Sequence, residues 1–193
     1  MRCQMRFLAK AGMADIPAGR LQQMDTRTLT PRILWSLLAA GCSALVTASL
    51  VLTYWLDLHP CHLCIFQRLL FMALAMSGSL AAWQASRMAG RIAGLLTLPL
   101  AAGGIGVAAY QSWLQAQPAG SISCMAGEPG LIEGVVEWLG QRVPQLFLAT
   151  GFCEQAELTV LGMTLANWAL AAFIACLLAA AGALLRDRPA RSR

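Results

Sequence analysis

The sequence predicts an all-α membrane protein, a four transmembrane helix up-and-down bundle with a short amphipathic helix in its second outer loop. Three observations carry that prediction. The chain of 193 residues is 58% hydrophobic and 12% charged, with a mean hydropathy of +0.62, whereas soluble domains carry about 25% charged residues. Four apolar runs reach the roughly 20 residues a helix needs to cross about 30 Å of hydrocarbon. The links between them are short or strongly asymmetric in charge, as expected of helices that cross in alternation.

The first run extends from about Ile33 to Tyr54 and the second from about Ile65 to Trp83. The second is the least regular, because Gln67 and Arg68 occupy its opening turn and its purely apolar part begins at Leu69. The third runs from about Ile92 to Trp113 and the fourth from about Ala166 to Leu185. Residues 1–31 hold no long apolar run and read as a tail. Residues 32–185 form the membrane domain, and 186–193 a basic tail. The first run is long and far from the start, which argues for an uncleaved first helix rather than a signal peptide.

Orientation follows the positive-inside rule. Arg2, Arg6, Lys10, Arg20, Arg27 and Arg32 precede the first span, Arg87 and Arg91 link spans two and three, and Arg186, Arg188, Arg191 and Arg193 follow the fourth. The opposite loops hold only Arg68 and Arg142. Both termini are therefore expected in the cytoplasm, and the +5 net charge reports topology rather than a nucleic-acid surface. Trp35, Trp55, Trp83, Trp113 and Trp168 fall at predicted span ends, the pattern of an aromatic belt. In the long outer loop, Leu131, Ile132, Val135, Val136 and Leu139 recur at helical spacing, with Glu133 and Glu137 elsewhere on the wheel. That stretch predicts an amphipathic helix lying on the membrane, packed on its own bundle, or both.

Seven cysteines divide by location. Cys42 and Cys176 lie within spans and read as packing residues, and Cys3 lies in the cytoplasmic tail. Cys61, Cys64, Cys124 and Cys153 all fall in the two outer loops, where thiols tend to be oxidised. Cys61 and Cys64 form a C-x-x-C at a helix start, where the positive end of the helix favours a thiolate, the nucleophile of exchange. Such a pair can be a redox centre, half of a metal site, or a packing feature. His59, Cys61, His62 and Cys64 together offer zinc- or copper-type ligands. However, the short loop leaves little freedom to wrap one ion, and Cys124 and Cys153 would be unexplained. Arg68 lies four residues after Cys64, on the same helical face. Within a span it is either a snorkelling side chain or a cation serving the thiol pair or a reduced ligand beside it.

The stretch Pro60-Cys61-His62-Leu63-Cys64-Ile65-Phe66-Gln67-Arg68 resembles the C-x-x-C-x-x-x-R motif of the disulfide bond formation protein B (DsbB) family. Residues Val143 to Cys153 resemble the segment that ends in that family's last loop cysteine. The resemblance spans roughly Arg32 to Leu185. It implies a quinone-dependent protein dithiol oxidoreductase of the bacterial inner membrane, with its cysteine loops in the periplasm. It further implies a Cys124–Cys153 disulfide that accepts electrons from a thioredoxin-like DsbA-type oxidase through Cys124. Cys153 would then attack the Cys61–Cys64 bond at Cys61, leaving Cys64 beside ubiquinone or menaquinone held near Arg68. Two departures stand out. Gln67 replaces the acidic residue often found before the arginine, and no histidine lies near the end of the third span. The rival expectations are a four-span protein with purely structural disulfides and a Cys/His metal protein.

Overall fold

A computed structural model describes residues 26–84, 88–118, 130–154 and 158–186. Helix α1 spans Thr26–Trp55, α2 His62–Trp83 and α3 Met88–Gln115. Two short helices follow, α4 at Leu131–Arg142 and α5 at Pro144–Phe147. A two-stranded hairpin, β1 Thr159–Val160 and β2 Met163–Thr164, leads into α6, Leu165–Arg186. Four of these helices are long and apolar enough to cross a membrane, within Pro31–Trp55, His62–Trp83, Met88–Gln115 and Leu165–Arg186. Helix α1 begins at Thr26, inside the stretch expected to be tail, and carries Pro31 within it. Arg186, expected to open the C-terminal tail, ends α6, and residues 1–25 and 187–193 lie outside the described residues.

The long helices form a ring in which α1 packs on α2, α2 on α3, α3 on α6 and α6 on α1. Small residues let the backbones approach, the packing mode available where lipid is as apolar as the core. A Cβ at Gly94 would press on the Trp35 ring, and one at Gly104 would collide with the Phe173 ring. Phe173 stacks on Phe71 with centroids 4.0 Å apart and planes 7° from parallel. Trp35 is only 1% exposed and belongs to this core. This corrects its assignment to the aromatic belt: the slot opposite Gly94 draws the indole inward. Trp55, Trp83, Trp113 and Trp168 are exposed. Cys42 and Cys176 face each other across α1 and α6 in the same core, sulfur to sulfur at 3.6 Å.

Helix α4 is amphipathic, as its sequence pattern requires. Its inner face contributes Val136, which joins Ile65 and Phe147 in a small core against α2. Its outer face leaves Leu131, Val135 and Trp138 exposed. Glu133 caps its start by accepting from the Gly130 N–H at 2.5 Å. The guanidinium of Arg142 sits 4.7 Å from the Trp138 ring centre. The hairpin turns through Leu161 (φ 55°) and Gly162 (φ 78°), a left-handed pair that matches the twist of a two-residue connection.

Candidate functional site

The site grows from the first turn of α2. Cys61 is the N-cap, with extended backbone, and its sulfur accepts from the Cys64 N–H at 3.4 Å. The cap geometry folds Cys64 back toward Cys61, bringing the sulfurs to 3.0 Å, one short movement from the roughly 2.05 Å of a disulfide bond. Cys61 is 2% exposed and donates to Cys64.

The third cysteine arrives from the other end of the outer loop. Cys153 is buried with Cys61, Leu63 and Leu114 in one cluster that Cys64 also touches. Its approach is set by backbone. The N–H groups of Thr150 and Gly151 both donate to the Pro60 carbonyl, at 3.0 and 3.3 Å. Gly151 presses so closely on the His59 carbonyl that a Cβ there would overlap it. Hydrogen bonding with Cys153, then with Cys64, together with burial, pushes the Cys61 thiol well above its usual range. Reduced Cys61 therefore keeps its proton. Cys124 lies outside the described residues.

Arg68, one turn into α2, is 5% exposed. Its Nη2 donates to Ser49 Oγ at 2.9 Å and to Thr53 Oγ1 at 3.0 Å, and its Nε to Ser49 Oγ at 3.2 Å. Its Nη1 donates to the Leu146 carbonyl at 2.9 Å. The guanidinium thus turns inward and ties the outer loop to α1, instead of snorkelling outward. Tyr54 adds a second tie, donating to the Gln145 carbonyl at 2.5 Å.

Two glutamines complete the arrangement. Gln111 of α3 is 2% exposed and points its Nε2 at Cys64 Sγ (3.0 Å) and Cys61 Sγ (3.4 Å). Gln67 of α2 donates to Gln111 Oε1 at 2.7 Å. Sequence reasoning singled out Gln67 only as a departure from a motif, and it missed Gln111, Ser49 and Thr53. The signal for Gln111 was present: an uncharged polar side chain within an apolar span needs a partner.

These groups border a cavity of about 440 Å³. Its walls are mainly aliphatic and come largely from α1 and α6, with Leu45, Leu52 and Ala169 among them. Its polar end holds Cys61, Cys64, Gln67, Arg68, Gln111 and Gln115. Gln115 Oε1 is buried there with no hydrogen-bond partner among the described residues.

A profile for the family described as Disulfide bond formation protein DsbB matches residues 31–183, a range that reaches from within α1 to within α6. The chain belongs to the DsbB family. Disulfide bond formation protein B of Dechloromonas aromatica is 43% identical over 146 residues, 74% of this chain and 85% of that protein. Its counterpart in Paracidovorax citrulli is 33% identical over 162 residues, 83% and 91% of the two chains. Disulfide bond formation protein B 2 of Pseudomonas aeruginosa is 34% identical over 172 residues, 84% and 95%. Together with the four apolar helices, DsbB membership makes this a multi-pass membrane protein of disulfide bond formation, a disulfide-forming oxidoreductase.

Proposed function

We propose that this DsbB-family protein reoxidises a periplasmic thioredoxin-like DsbA-type thiol oxidase and delivers the electrons to ubiquinone or menaquinone in the inner membrane. The observation that carries the reading is the buried meeting of Cys153 with the Cys61–Cys64 pair at the edge of an apolar cavity. A relay between two loops needs that contact, whereas independent structural disulfides do not.

The steps follow thiolate exchange. A thiolate of the reduced partner attacks Cys124, forming a mixed disulfide and freeing Cys153. The partner's second thiol resolves that bond, leaving as the oxidised protein. Cys153 attacks Cys61, the sulfur it already touches, and the Cys61–Cys64 bond breaks with Cys64 as leaving thiolate. Cys124 then attacks Cys153, restoring the Cys124–Cys153 disulfide and leaving Cys61 and Cys64 reduced. A quinone, when bound, supplies the two-electron sink that returns Cys61 and Cys64 to the disulfide. The cavity suits such a group: aliphatic walls for an isoprenoid-bearing ring, and Arg68 and Gln67, each with an N–H beyond the bonds described above, as donors to ring oxygens. Gln115 Oε1 is a free acceptor for a hydroxyl of the reduced ring. DsbA-type partners are themselves strong oxidants, at about −120 mV, so the final acceptor must provide the driving force.

The asymmetry of Lys and Arg supports cytoplasmic termini and periplasmic cysteine loops. It also supports residues 1–31 and 186–193 as cytoplasmic tails flanking an oxidoreductase domain at 32–185. The test is quinone reduction by purified protein with a reduced DsbA-type partner, comparing wild type with Cys124→Ser. Partner-dependent reduction that vanishes in the variant is the expected result. Failure to reduce either ubiquinone or menaquinone analogues, with the outer disulfides intact, overturns the proposal in favour of structural disulfides.

A further inference from the structure

We infer that Gln111 is a catalytic residue, donating a hydrogen bond to the Cys64 sulfur as it becomes a thiolate, and that Gln67 is the positioning residue that aims it. The inference deepens the relay proposed above and rests on Cys64 being the leaving sulfur.

The geometry singles out Gln111. When Cys153 takes Cys61, negative charge appears on Cys64 inside a largely apolar bundle, and a leaving thiolate departs faster the better it is stabilised. Among the described residues, the side-chain donors that reach Cys64 Sγ are Cys61 Sγ and Gln111 Nε2, both at 3.0 Å. During the step Cys61 is bonded to Cys153 and has no proton to give. Arg68 is the nearby cation, but its Nε, Nη1 and Nη2 are engaged with Ser49, Thr53 and the Leu146 carbonyl. Gln111 is therefore the side-chain donor in contact with the sulfur at the moment of departure.

An amide can serve this purpose only in one orientation. Its nitrogen end donates and its oxygen end only accepts, so a flipped Gln111 would set an oxygen against the thiolate. Gln67 Nε2, at 2.7 Å from Gln111 Oε1, occupies the oxygen end and leaves both N–H bonds of Gln111 for Cys64 and Cys61. The pair is uncharged and does not titrate. It stabilises charge on sulfur without exchanging a proton. The titratable and charged groups around it are Cys61, Cys64, Cys153, Arg68 and His59 at the cavity edge.

The test needs neither partner nor quinone: the rate at which iodoacetamide alkylates Cys64 at neutral pH in fully reduced, quinone-free protein, located by mass spectrometry. Alkylation reads the thiolate fraction. Gln111→Met is expected to slow it about tenfold or more, the worth of one hydrogen bond to a charged group, and Gln67→Met roughly threefold. The double variant should be no slower than Gln111→Met alone, because Gln67 acts only through Gln111. Continued protection of Cys42, 1% exposed in the core, certifies the fold. If Gln111→Met fails that check, Gln111→Asn, which withdraws the amide by one methylene, carries the same expectation. Wild-type alkylation in the Gln111 variants, or losses that multiply in the double variant, overturns the inference. Because the readout omits quinone and partner, the relay could fail its own test while this one succeeds, and the reverse.

Discussion

Gly151 shows how much one hydrogen atom can decide. Its Cα lies against the His59 carbonyl where any side chain would overlap, and its N–H shares the Pro60 carbonyl with Thr150. Two residues later comes Cys153, so this seam sets the distance between the two loops' sulfurs. Gly151→Ala should lift the seam and displace Cys153 from Cys61. In a Cys64→Ser, Cys124→Ser background, the rate at which an added oxidant such as diamide joins Cys61 to Cys153 is expected to fall on the order of 10²-fold, as misplacement by about 1 Å can cause. Alkylation of Cys64 in the otherwise wild-type chain should stay unchanged. Cys61, Cys64 and Arg68 were legible in the sequence because their relation is local: three and four residues along one helix. Gln111, Ser49 and Thr53 meet them across 15 to 50 residues of chain, and no local periodicity records such a meeting. Trp35 was misread for the same reason, since its depth was visible but the slot beside Gly94 was not.

At the scale of elements, the four long helices and the amphipathic α4 follow from hydropathy and helical period, which the bilayer enforces strongly. The hairpin does not. Its strands hold two residues each, too few for an alternating pattern, and its turn puts Leu161 in a left-handed conformation that leucine disfavours. Its anchor is the Trp168 indole, which donates to the Val160 carbonyl at 3.1 Å. Leu161 is 88% exposed, so its side chain contributes little there. Replacing it with asparagine creates the Asn-Gly pair that this turn favours. Leu161→Asn should stabilise the protein by about 0.5–1 kcal/mol, read as a raised unfolding temperature in detergent with unchanged partner oxidation. Helix α4 could be foreseen on a membrane surface or on the bundle; Val136 packs it on the bundle, while Leu131, Val135 and Trp138 face outward.

For the molecule as a whole, the ring of helices packs through close backbone approach, and the cavity is lined largely by α1 and α6 beside the α2 cysteines. Among the described glycines where the long helices meet, Gly104 leaves the least room for a side chain. A Cβ there would press on the Phe173 ring, which stacks on Phe71 at the cavity wall. Gly104→Val should cost about 1–3 kcal/mol by overpacking. On the proposed relay, it should also weaken quinone use more than partner binding, a split visible when each is titrated separately.

The cavity's walls come largely from α1 and α6, two helices far apart in the chain. A ribosome adds roughly 5–20 residues per second, so α1 and α2, with the cysteine pair, enter the bilayer seconds before the far wall exists. Until Leu165–Arg186 is inserted, Cys61 and Cys64 stand beside a half-built pocket with lipid where α6 will lie. Insertion of α6 is therefore the event that encloses the site, and a protein without that helix keeps its thiols but not the chamber they border.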